Sequence, residues 1–381
     1  MSLSLHRNPE GQTNDSTDDA PEQDPLHVVP LCVRFPPIIV SRWERTVKPP
    51  PPPSVGYPHP MDDRVFDRIR RRCRDVADQA HHVRIVESAI AGYAGGLASL
   101  SLETPAYDDV LHFRGRPEDT VTYLVALDAV NFGSGYFPYL AKRPERSGYG
   151  TIALALTERF RARGPLGIGD LVECSAADCA LLFGQDLSVA PIAELMELFA
   201  KAWRDLGHDL LERFGGSPSA LVESAEGSAA ALVHLLDRQP LFHDVSIYRG
   251  DEVPFYKRAQ ILVSDLALAF GGRSFGQFED LNALTIFADN LVPHVLRLDG
   301  ILVYAPDLVE RIAHGEVLAA GSESEVEIRA CALHAVELIV DRLRAKGRDV
   351  TAREVDIALW NRGQSPRYKE APRHRTRTAF Y

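Results

Sequence analysis

Four stretches of this chain place an apolar residue at every third or fourth position, which predicts amphipathic helices. The first stretch begins near residue 62. The second begins at Pro191 and ends at a Gly-Gly pair that starts at Gly215, the third covers residues 255–270, and the fourth covers residues 324–345. Proline suits the first position of a helix and glycine commonly follows the last one, so the ends of the second helix are also predicted.

Two apolar runs have a different pattern. Residues 110–113 and 121–127 are apolar without a helical period, and we interpret them as strands. The sequence contains no internal repeat. Long helices with a few strands near the start of the folded part predict a mostly α fold.

The first 60 residues differ from the rest of the chain. Residues 1–25 are rich in Asp, Glu, Gln, Asn, Ser and Pro, and such a segment cannot bury enough apolar surface to offset the entropy of ordering it. The run Pro49 to Pro53 predicts a polyproline II segment, which serves as a linker or as a surface arm. We therefore predict a disordered or extended arm over residues 1–60 and a folded domain over residues 61–381, large enough for two lobes.

The charge balance bears on the class of ligand. The 381 residues include 42 Lys+Arg and 53 Asp+Glu, which gives a formal net charge of -11. A protein that binds duplex nucleic acid usually has a basic face, so this balance does not favour a nucleic-acid polymer as partner. It is compatible with a small basic pocket for one phosphate.

Cysteine usage and hydropathy bear on the compartment. The five cysteines form no Cys-x-x-Cys pair and have no zinc-like spacing, so we interpret them as free thiols in a reducing compartment. The sequence shows no signal peptide, and its apolar runs are shorter than the roughly 20 residues of a membrane span. We expect a cytoplasmic protein with no membrane partner, present as a monomer or a weak oligomer.

The first candidate site is the segment that begins at Asp128. Asp128 and Asn131 offer donors and acceptors that suit the edge of a guanine-like base, and Phe132 and Tyr136 offer aromatic faces on which a base can stack. Glycines within the segment allow the backbone to approach a ligand closely. The alternative is a strand-to-helix turn whose aromatic side chains belong to the core.

The second candidate site is the start of the predicted helix after Pro254. Lys257 and Arg258 can hold a phosphate there, because a helix N-terminus also favours an anion. Tyr256 lies beside them. The alternative is a helix start with solvated basic residues. Asp265, two turns further along, either pairs with a cation or faces water.

The third candidate site is Asp289, which lies among apolar residues shortly before Pro293. An acid in apolar surroundings usually has a partner or a chemical task. The alternative is a helix N-cap for the segment that begins at Leu291, because aspartate is a favoured cap. His294 follows in the same segment.

The fourth candidate region combines a predicted helix with the last residues of the sequence. Glu325 and Arg329 are four residues apart, which suggests a surface ion pair on the helix. The last residues, with Arg377 and Tyr381, end on aromatic side chains, which indicates a docked tail. None of the four regions contains a phosphate-binding glycine loop, a catalytic serine elbow or a metal cluster.

Taken together and in this order, these segments resemble the queuosine salvage protein family. The resemblance extends from about residue 62 to residue 381. The residues that carry it are Asp128, Asn131 and Phe132; Phe255 to Leu262; Phe287-Ala288-Asp289 with Pro293; Glu325-Val326-Glu327-Ile328-Arg329; and His374, Arg377, Phe380 and Tyr381. One departure is Gly133-Ser134-Gly135, where some relatives carry bulkier residues.

The resemblance implies a fold similar to that of the helix-hairpin-helix DNA glycosylases, mostly helical and bilobal. It implies hydrolysis of queuosine 5′-monophosphate to queuine and ribose 5-phosphate without a metal or an organic cofactor. Lys257 and Asp289 look like the catalytic lysine and aspartate of those glycosylases. Asp289 would stabilise the positive charge that develops on the ribose and would orient or deprotonate the attacking water.

The resemblance also implies substrate-binding roles. Queuine is a deazaguanine with carbon at the ring position that purine hydrolases protonate, so hydrogen bonds to its edge gain importance. Asp128 or Asn131 would supply them. The residues expected around the phosphate and the rest of the nucleotide are Tyr256, Lys257, Arg258, Arg377, Phe132, Tyr136, Asp265, His294 and Tyr381. The alternatives are a DNA base-excision glycosylase, which the acidic charge balance disfavours, and a noncatalytic protein that binds a modified nucleoside.

Overall fold

The computed structural model describes residues 65–98, 102 and 105–381. The expected N-terminal arm over residues 1–60, with its proline run, lies outside the described residues and stays a prediction. The buried apolar side chains of the described part form one continuous cluster. A division of the folded domain into two lobes also stays a prediction.

Helices account for most of the described residues, which confirms the mostly α fold. Their bounds are α1 Val65–Gln79, α2 Glu87–Ala98, α3 Pro117–Ala129, α4 Gly148–Arg163, α5 Ile168–Val172, α6 Ala176–Phe183, α7 Ala190–Phe214, α8 Pro218–Glu223, α9 Ala229–Asp237, α10 Lys257–Phe270, α11 Leu291–Leu298, α12 Pro306–Ala313, α13 Glu323–Arg344, α14 Ala352–Arg362 and α15 Pro366–Glu370. Short 3₁₀ helices cover Ser134–Tyr136, Ser274–Gly276 and Leu281–Ala283.

The strands of the described residues form two-stranded pairs. Two pairs are antiparallel: β1 Val83–Ile85 with β4 Leu302–Tyr304, and β2 Val245–Tyr248 with β3 Asp251–Pro254. The third pair, β5 Val317–Leu318 with β6 Arg375–Thr376, is parallel and joins the last residues of the chain to the loop after α12. These short pairs fasten loops to the helical body.

The four helices predicted from periodicity are present as α1, α7, α10 and α13. Pro191 lies in the first turn of α7, and Gly215 ends that helix with a φ of 60°. Gly271 ends α10 in the same left-handed conformation, also with a φ of 60°. A glycine has no Cβ to clash in this conformation, which is why it terminates both helices.

The two predicted strands within residues 108–127 are wrong. Residues 121–127 belong to α3, and residues 110–113 form a turn and an irregular segment. Every residue of α3 from Val121 to Ala129 except Thr122 is buried. A helix that is buried all round has no polar face, so its sequence is a continuous apolar run that looks like a buried strand.

Packing brings the candidate segments together. Helix α10 packs against α3 and α9, and α13 packs against α1, α2, α11 and α14. Cys73, Cys174, Cys179 and Cys331 are buried free thiols, as predicted for them; Cys32 lies outside the described residues. None of the described helices has both the length and the apolar character that crossing a bilayer requires.

Candidate active site

Lys257 is the first residue of α10 and is buried. The chain enters the helix through Tyr256, which has a φ of 49°, in the left-handed region that non-glycine residues seldom adopt. The Lys257 backbone N–H donates to Asp244 Oδ2 at 3.1 Å. A carboxylate at this position satisfies an otherwise unbonded N–H of the first turn, and so fixes where the Lys257 side chain starts.

The Lys257 ammonium faces several acids. Its Nζ donates to the carbonyl of Asn131 at 3.2 Å. Burial lowers the pKa of Lys257, while the carboxylates of Asp289, Asp128 and Asp356 oppose that shift, Asp289 most strongly. The structure therefore brings Lys257 and Asp289 together, although they are distant in sequence.

Asp128 lies near the end of α3 and is fully buried. Its Oδ1 accepts a hydrogen bond from Asn131 Nδ2 at 3.0 Å, whereas its Oδ2 is buried without a hydrogen-bond partner. Burial raises the pKa of Asp128 to about 7, against the opposing effects of Asn131, Lys257 and Arg258. A buried polar atom without a partner costs free energy unless a ligand or water satisfies it, so Oδ2 is a candidate ligand contact.

Asp265 is on α10, two turns after Lys257. Burial raises its pKa well above the ordinary value, and the neighbouring Asp128 raises it further. The side chain nevertheless keeps some accessible surface. A carboxyl group whose pKa is shifted by burial and by a neighbouring acid is a candidate member of a functional site.

Asp289 lies just before α11. Its Oδ1 accepts the N–H groups of Leu291 at 2.7 Å and Val292 at 3.1 Å, which is the capping interaction considered as the alternative for this residue. Neither bond uses Oδ2, and the side chain is half-buried. Capping therefore fixes one oxygen and is compatible with a chemical task for the other.

The segment before Asp289 is held against α10. Gln260 accepts the Thr285 N–H at 2.9 Å and donates to Thr285 Oγ1 at 2.9 Å. Because Gln260 is one turn after Lys257, these bonds fix the segment that leads to Asp289 relative to Lys257.

Asp356 is an acid of this cluster that sequence reasoning missed. It lies on α14 and is buried, and its Oδ1 accepts the Phe287 N–H at 3.0 Å. Burial, followed by the charge of Asp289, raises the pKa of Asp356 to about 8. The available signal was an aspartate between Val355 and Ile357, which is the same pattern that singled out Asp289.

Arg258 has a different environment from the solvated or phosphate-binding one that was expected. The side chain is buried, and its guanidinium donates to the backbone carbonyls of Asp128, Ala129 and Leu241. The guanidinium also lies over the ring of Phe132, 4.8 Å from its centroid. These contacts stabilise the end of α3, and we now interpret Arg258 as a residue that holds Asp128 in place.

Phe132 and Tyr256 also have protein partners. Phe132 is buried edge-to-face against Phe199 with ring centroids 5.0 Å apart, which matches the core alternative. The Tyr256 hydroxyl donates to Asp237 Oδ2 at 3.1 Å. Both residues thus support neighbouring segments, and their predicted contacts with a nucleotide stay predictions.

Tyr136 and Arg377 meet each other at a second place near the end of the chain. The Tyr136 hydroxyl donates to Glu194 Oε1 at 2.8 Å, and the Arg377 guanidinium lies 5.5 Å from the Tyr136 ring centroid. Arg377 Nη1 is 3.6 Å from Glu194 Oε2. Glu194 completes this cluster and was not predicted from the sequence.

The last residues of the sequence are docked, as their aromatic composition indicated. The main-chain oxygen of Tyr381 accepts the Gly133 N–H at 2.9 Å. Gly133 has a φ of 95°, and a Cβ on Gly135 would collide with the carbonyl oxygen of Thr376. The Gly-Ser-Gly sequence thus admits the end of the chain beside the Asp128 segment.

His294 is buried within α11, and its Nε2 lies 2.8 Å from the Tyr368 carbonyl oxygen. Burial lowers the pKa of His294 to about 4, so the ring is neutral near neutral pH. The carbonyl is an acceptor, which makes Nε2 the protonated nitrogen. His294 thus lies on α11, the helix that Asp289 caps, and its hydrogen bond joins α11 to Tyr368.

The Glu325–Arg329 pair was expected on the surface, and that expectation is wrong. Both side chains are buried, and Arg329 makes its shorter contacts with Asp244, at 2.7 and 2.9 Å. An i, i+4 spacing predicts that two side chains can meet but carries no information on which face of the helix is covered.

His82, Glu323 and Glu327 bring potential metal-binding atoms close together. The Glu327 carboxylate, however, accepts the backbone N–H groups of His81, His82 and Val83 and the hydroxyl of Tyr248. These bonds occupy both oxygens and account for the burial of Glu327, so we interpret it as a residue that anchors β1 to α13.

Comparison with known proteins decides the family. The family model described as queuosine salvage protein matches residues 111–381. The chain belongs to the queuosine salvage protein family. The match contains every residue of the carboxyl cluster around Lys257, and it leaves out α1 and α2.

Curated relatives of this queuosine salvage family member come from distant organisms. A protein of Sphaerobacter thermophilus named queuosine 5′-phosphate N-glycosylase/hydrolase is 39% identical over 81% of this chain and 96% of its own length. Proteins with the same name from Dictyostelium discoideum and Mus musculus are 36% and 31% identical. Their alignments cover 69% and 71% of this chain, and 79% and 85% of the relatives.

Proposed function

We propose that this protein is an N-glycosidase that hydrolyses queuosine 5′-phosphate and releases queuine for salvage into tRNA modification. The observation that carries the proposal is the buried Lys257 ammonium within electrostatic reach of Asp289, with Lys257 at the start of α10 and Asp289 just before α11. The names of the relatives support the substrate. The proposal includes no metal and no organic cofactor.

The reaction breaks the bond between the ribose C1′ and the base nitrogen, and positive charge develops on the ribose. The half-buried Asp289 carboxylate stabilises that charge, since its Oδ1 is fixed by two backbone N–H groups. A water molecule attacks C1′, and its proton passes to Asp289. The base leaves with the bonding electron pair, and its nitrogen takes up a proton to give neutral queuine while Asp289 gives up the proton that it took from water, so that ribose 5-phosphate is the second product and the carboxylate is restored.

Asp128 supports the leaving base in this proposal. With its pKa raised to about 7, a substantial fraction of Asp128 is protonated near neutral pH, and its unpartnered Oδ2 can then donate a hydrogen bond to the base. Asn131 fixes the other oxygen. Negative charge that develops on the base is thus met by a donor without protonation of the ring carbon.

The 5′-phosphate is proposed to bind at the cationic side of Asp289. Lys257 is one partner, and Arg373 is a second, because it is exposed and lies within electrostatic reach of Asp289. Arg377 remains a candidate through its neighbouring position in the sequence. Arg258 is excluded from this set, because its guanidinium already binds backbone carbonyls.

The test is hydrolysis of queuosine 5′-monophosphate by the purified protein, with free queuine followed by mass spectrometry. We expect Asp289→Asn to lower kcat by about 10²–10⁴-fold. Asparagine keeps an oxygen that can accept the Leu291 N–H, so the helix cap survives the change. Isothermal titration with the same nucleotide should show that the variant still binds.

Retained turnover by Asp289→Asn would remove that residue from the mechanism, and absence of queuine release by the wild type would overturn the proposal. A DNA glycosylase is disfavoured by the net charge of -11. The cytoplasmic location, the monomeric or weakly oligomeric state and the lack of a nucleic-acid partner remain predictions.

A further inference from the structure

We infer that the buried ion pair between Asp244 and Arg329 is a positioning element that sets Lys257 and Asp289 against each other. The inference rests on the roles proposed above for Asp289, which stabilises the charge on the ribose, and for Lys257, which binds the 5′-phosphate beside it. Its basis is the set of hydrogen bonds that Asp244 and Arg329 make to the backbone on either side of the site.

Asp244 controls the start of α10. Its side-chain Oδ2 accepts the N–H of Lys257 at 3.1 Å, and its main-chain oxygen accepts the N–H groups of Phe255 at 2.9 Å and Tyr256 at 3.3 Å. One residue thus binds three consecutive N–H groups at the point where the chain turns into the helix. The left-handed conformation of Tyr256 lies inside this turn, which is consistent with a backbone that its neighbours hold in place.

Arg329 controls the approach to Asp289. Its Nε donates to the carbonyl of Ala288, the residue directly before Asp289, at 2.9 Å. Its Nη1 and Nη2 donate to Asp244 Oδ1 at 2.9 Å and Oδ2 at 2.7 Å. A planar guanidinium makes these bonds in fixed relative directions, so the carbonyl of Ala288 and the carboxylate of Asp244 have one mutual orientation.

The connection therefore runs from Lys257 through Asp244 and Arg329 to Ala288 and Asp289. Both charged groups are almost fully buried, with side-chain exposures of 1% for Arg329 and 3% for Asp244. The guanidinium also lies 3.9 Å from the ring centroid of Phe255, which restricts it further. A change in the position of Asp244 or Arg329 would therefore displace Lys257 or Asp289.

Stability alone does not account for such a pair. The cost of desolvating two charges offsets much of their attraction, and apolar residues of similar volume are often at least as stabilising in a protein interior. A defined geometry is what the ion pair supplies and an apolar pair would not. Here that geometry fixes the two residues on which the proposed reaction depends.

The test compares Asp244→Asn with a matched control, Glu327→Gln. Each change replaces a buried carboxylate, one that accepts both backbone N–H groups and a side-chain donor, with an amide of the same size. Both oxygens of each carboxylate accept hydrogen bonds, so in each variant the new amide NH₂ group faces a hydrogen-bond donor and loses that contact. Only Asp244 contacts the backbone of Lys257, whereas Glu327 contacts His81, His82 and Val83.

We expect Asp244→Asn to lower kcat about 10²-fold through the displacement of Asp289 and to raise KM through the displacement of Lys257, because small displacements of such groups have effects of this size. Glu327→Gln should lose stability in urea unfolding and keep the wild-type kcat. Equal kcat values for the two variants would overturn the positioning role. Should Asp244→Asn fail to fold, Arg329→Lys, which keeps the charge but loses the planar donors, is compared with Glu327→Gln in its place.

A double variant separates this inference from the proposed function. If Asp244 acts through Lys257, adding Asp244→Asn to Lys257→Met should raise KM much less than it does in the wild type. Independent, multiplying effects would overturn the inference while leaving the glycosidase proposal intact. Full activity of Lys257→Met and Asp289→Asn would instead refute the proposed catalytic roles.

Discussion

Two buried cations, Lys257 and Arg329, lie close together in this protein, but they differ in their hydrogen bonds and in the direction in which their pKa values shift. Arg329 donates from all three of its guanidinium nitrogens to protein acceptors, and its pKa is raised by Asp244 and Glu325 in spite of burial. Lys257 donates from Nζ to the carbonyl of Asn131, and burial lowers its pKa although several carboxylates face it. Arg329, the fixed cation, is held by hydrogen bonds to protein acceptors. Lys257, the responsive cation, has a charge state that depends on what binds beside it.

The difference follows from the chemistry of the two side chains. A guanidinium stays charged and bonds through a rigid fork, so it suits a permanent ion pair. An ammonium is a point charge on a flexible stem, and its pKa shifts readily when it is buried. An enzyme that must bind a phosphate and stabilise charge in one place uses the second kind of group next to the first.

Removing the fixed cation should have the largest effect on stability. Arg329→Met leaves the Asp244 carboxylate buried without its cation, and we expect the free energy of unfolding to fall by about 3–5 kcal/mol. Urea unfolding measures this change. The double variant Arg329→Met/Asp244→Leu should recover much of the stability, since no charge of that pair then remains buried, but it should not recover activity. A small loss in the single variant would contradict the fixed role of Arg329.

Removing the responsive cation should affect activity more than stability. Lys257→Met deletes the ammonium but keeps the apolar stem, and we expect kcat/KM to fall about 10²–10³-fold. The free energy of unfolding should change less than in Arg329→Met, because burial already disfavours the charged form of Lys257. Steady-state kinetics and urea unfolding of the same preparation provide both values. A stability loss as large as that of Arg329→Met would show that both cations contribute equally to stability and would contradict the difference described above.

Local patterns in the sequence single out Lys257 and Asp289 as candidates but not the pair of Asp244 and Arg329. Lys257 and Asp289 were identified because a lysine at a helix start and an acid among apolar residues are local patterns. The partnership of Asp244 with Arg329 spans 85 residues and has no local pattern, and Glu325–Arg329 looked like a surface pair. Similarly, the single apolar face of α7 predicts a helix, whereas the apolar run of α3, which is buried all round, predicts a strand.

The smallest expected effect concerns Asp356 and the pH dependence of the free energy of unfolding. Its pKa is raised to about 8 in the folded protein, against about 4 in an unfolded chain. Between these values the folded state holds a proton that the unfolded state has lost, so the contribution of Asp356 to stability is fully present below about pH 4 and is lost as the pH rises towards 8. Asp356 is one of the carboxylates that act on Lys257, so this slope belongs to the Lys257 side of the comparison.

Asp356→Asn should therefore unfold with a weaker dependence on pH than the wild type. Removing one such group flattens the decline by up to about 1.4 kcal/mol per pH unit within the window. Asparagine can still accept the Phe287 N–H, so loss of that hydrogen bond cannot explain the result. Urea unfolding at several pH values measures the difference between the two proteins. Identical slopes would mean that Asp356 is ionised in the folded state, and Lys257 would then be as firmly paired as Arg329.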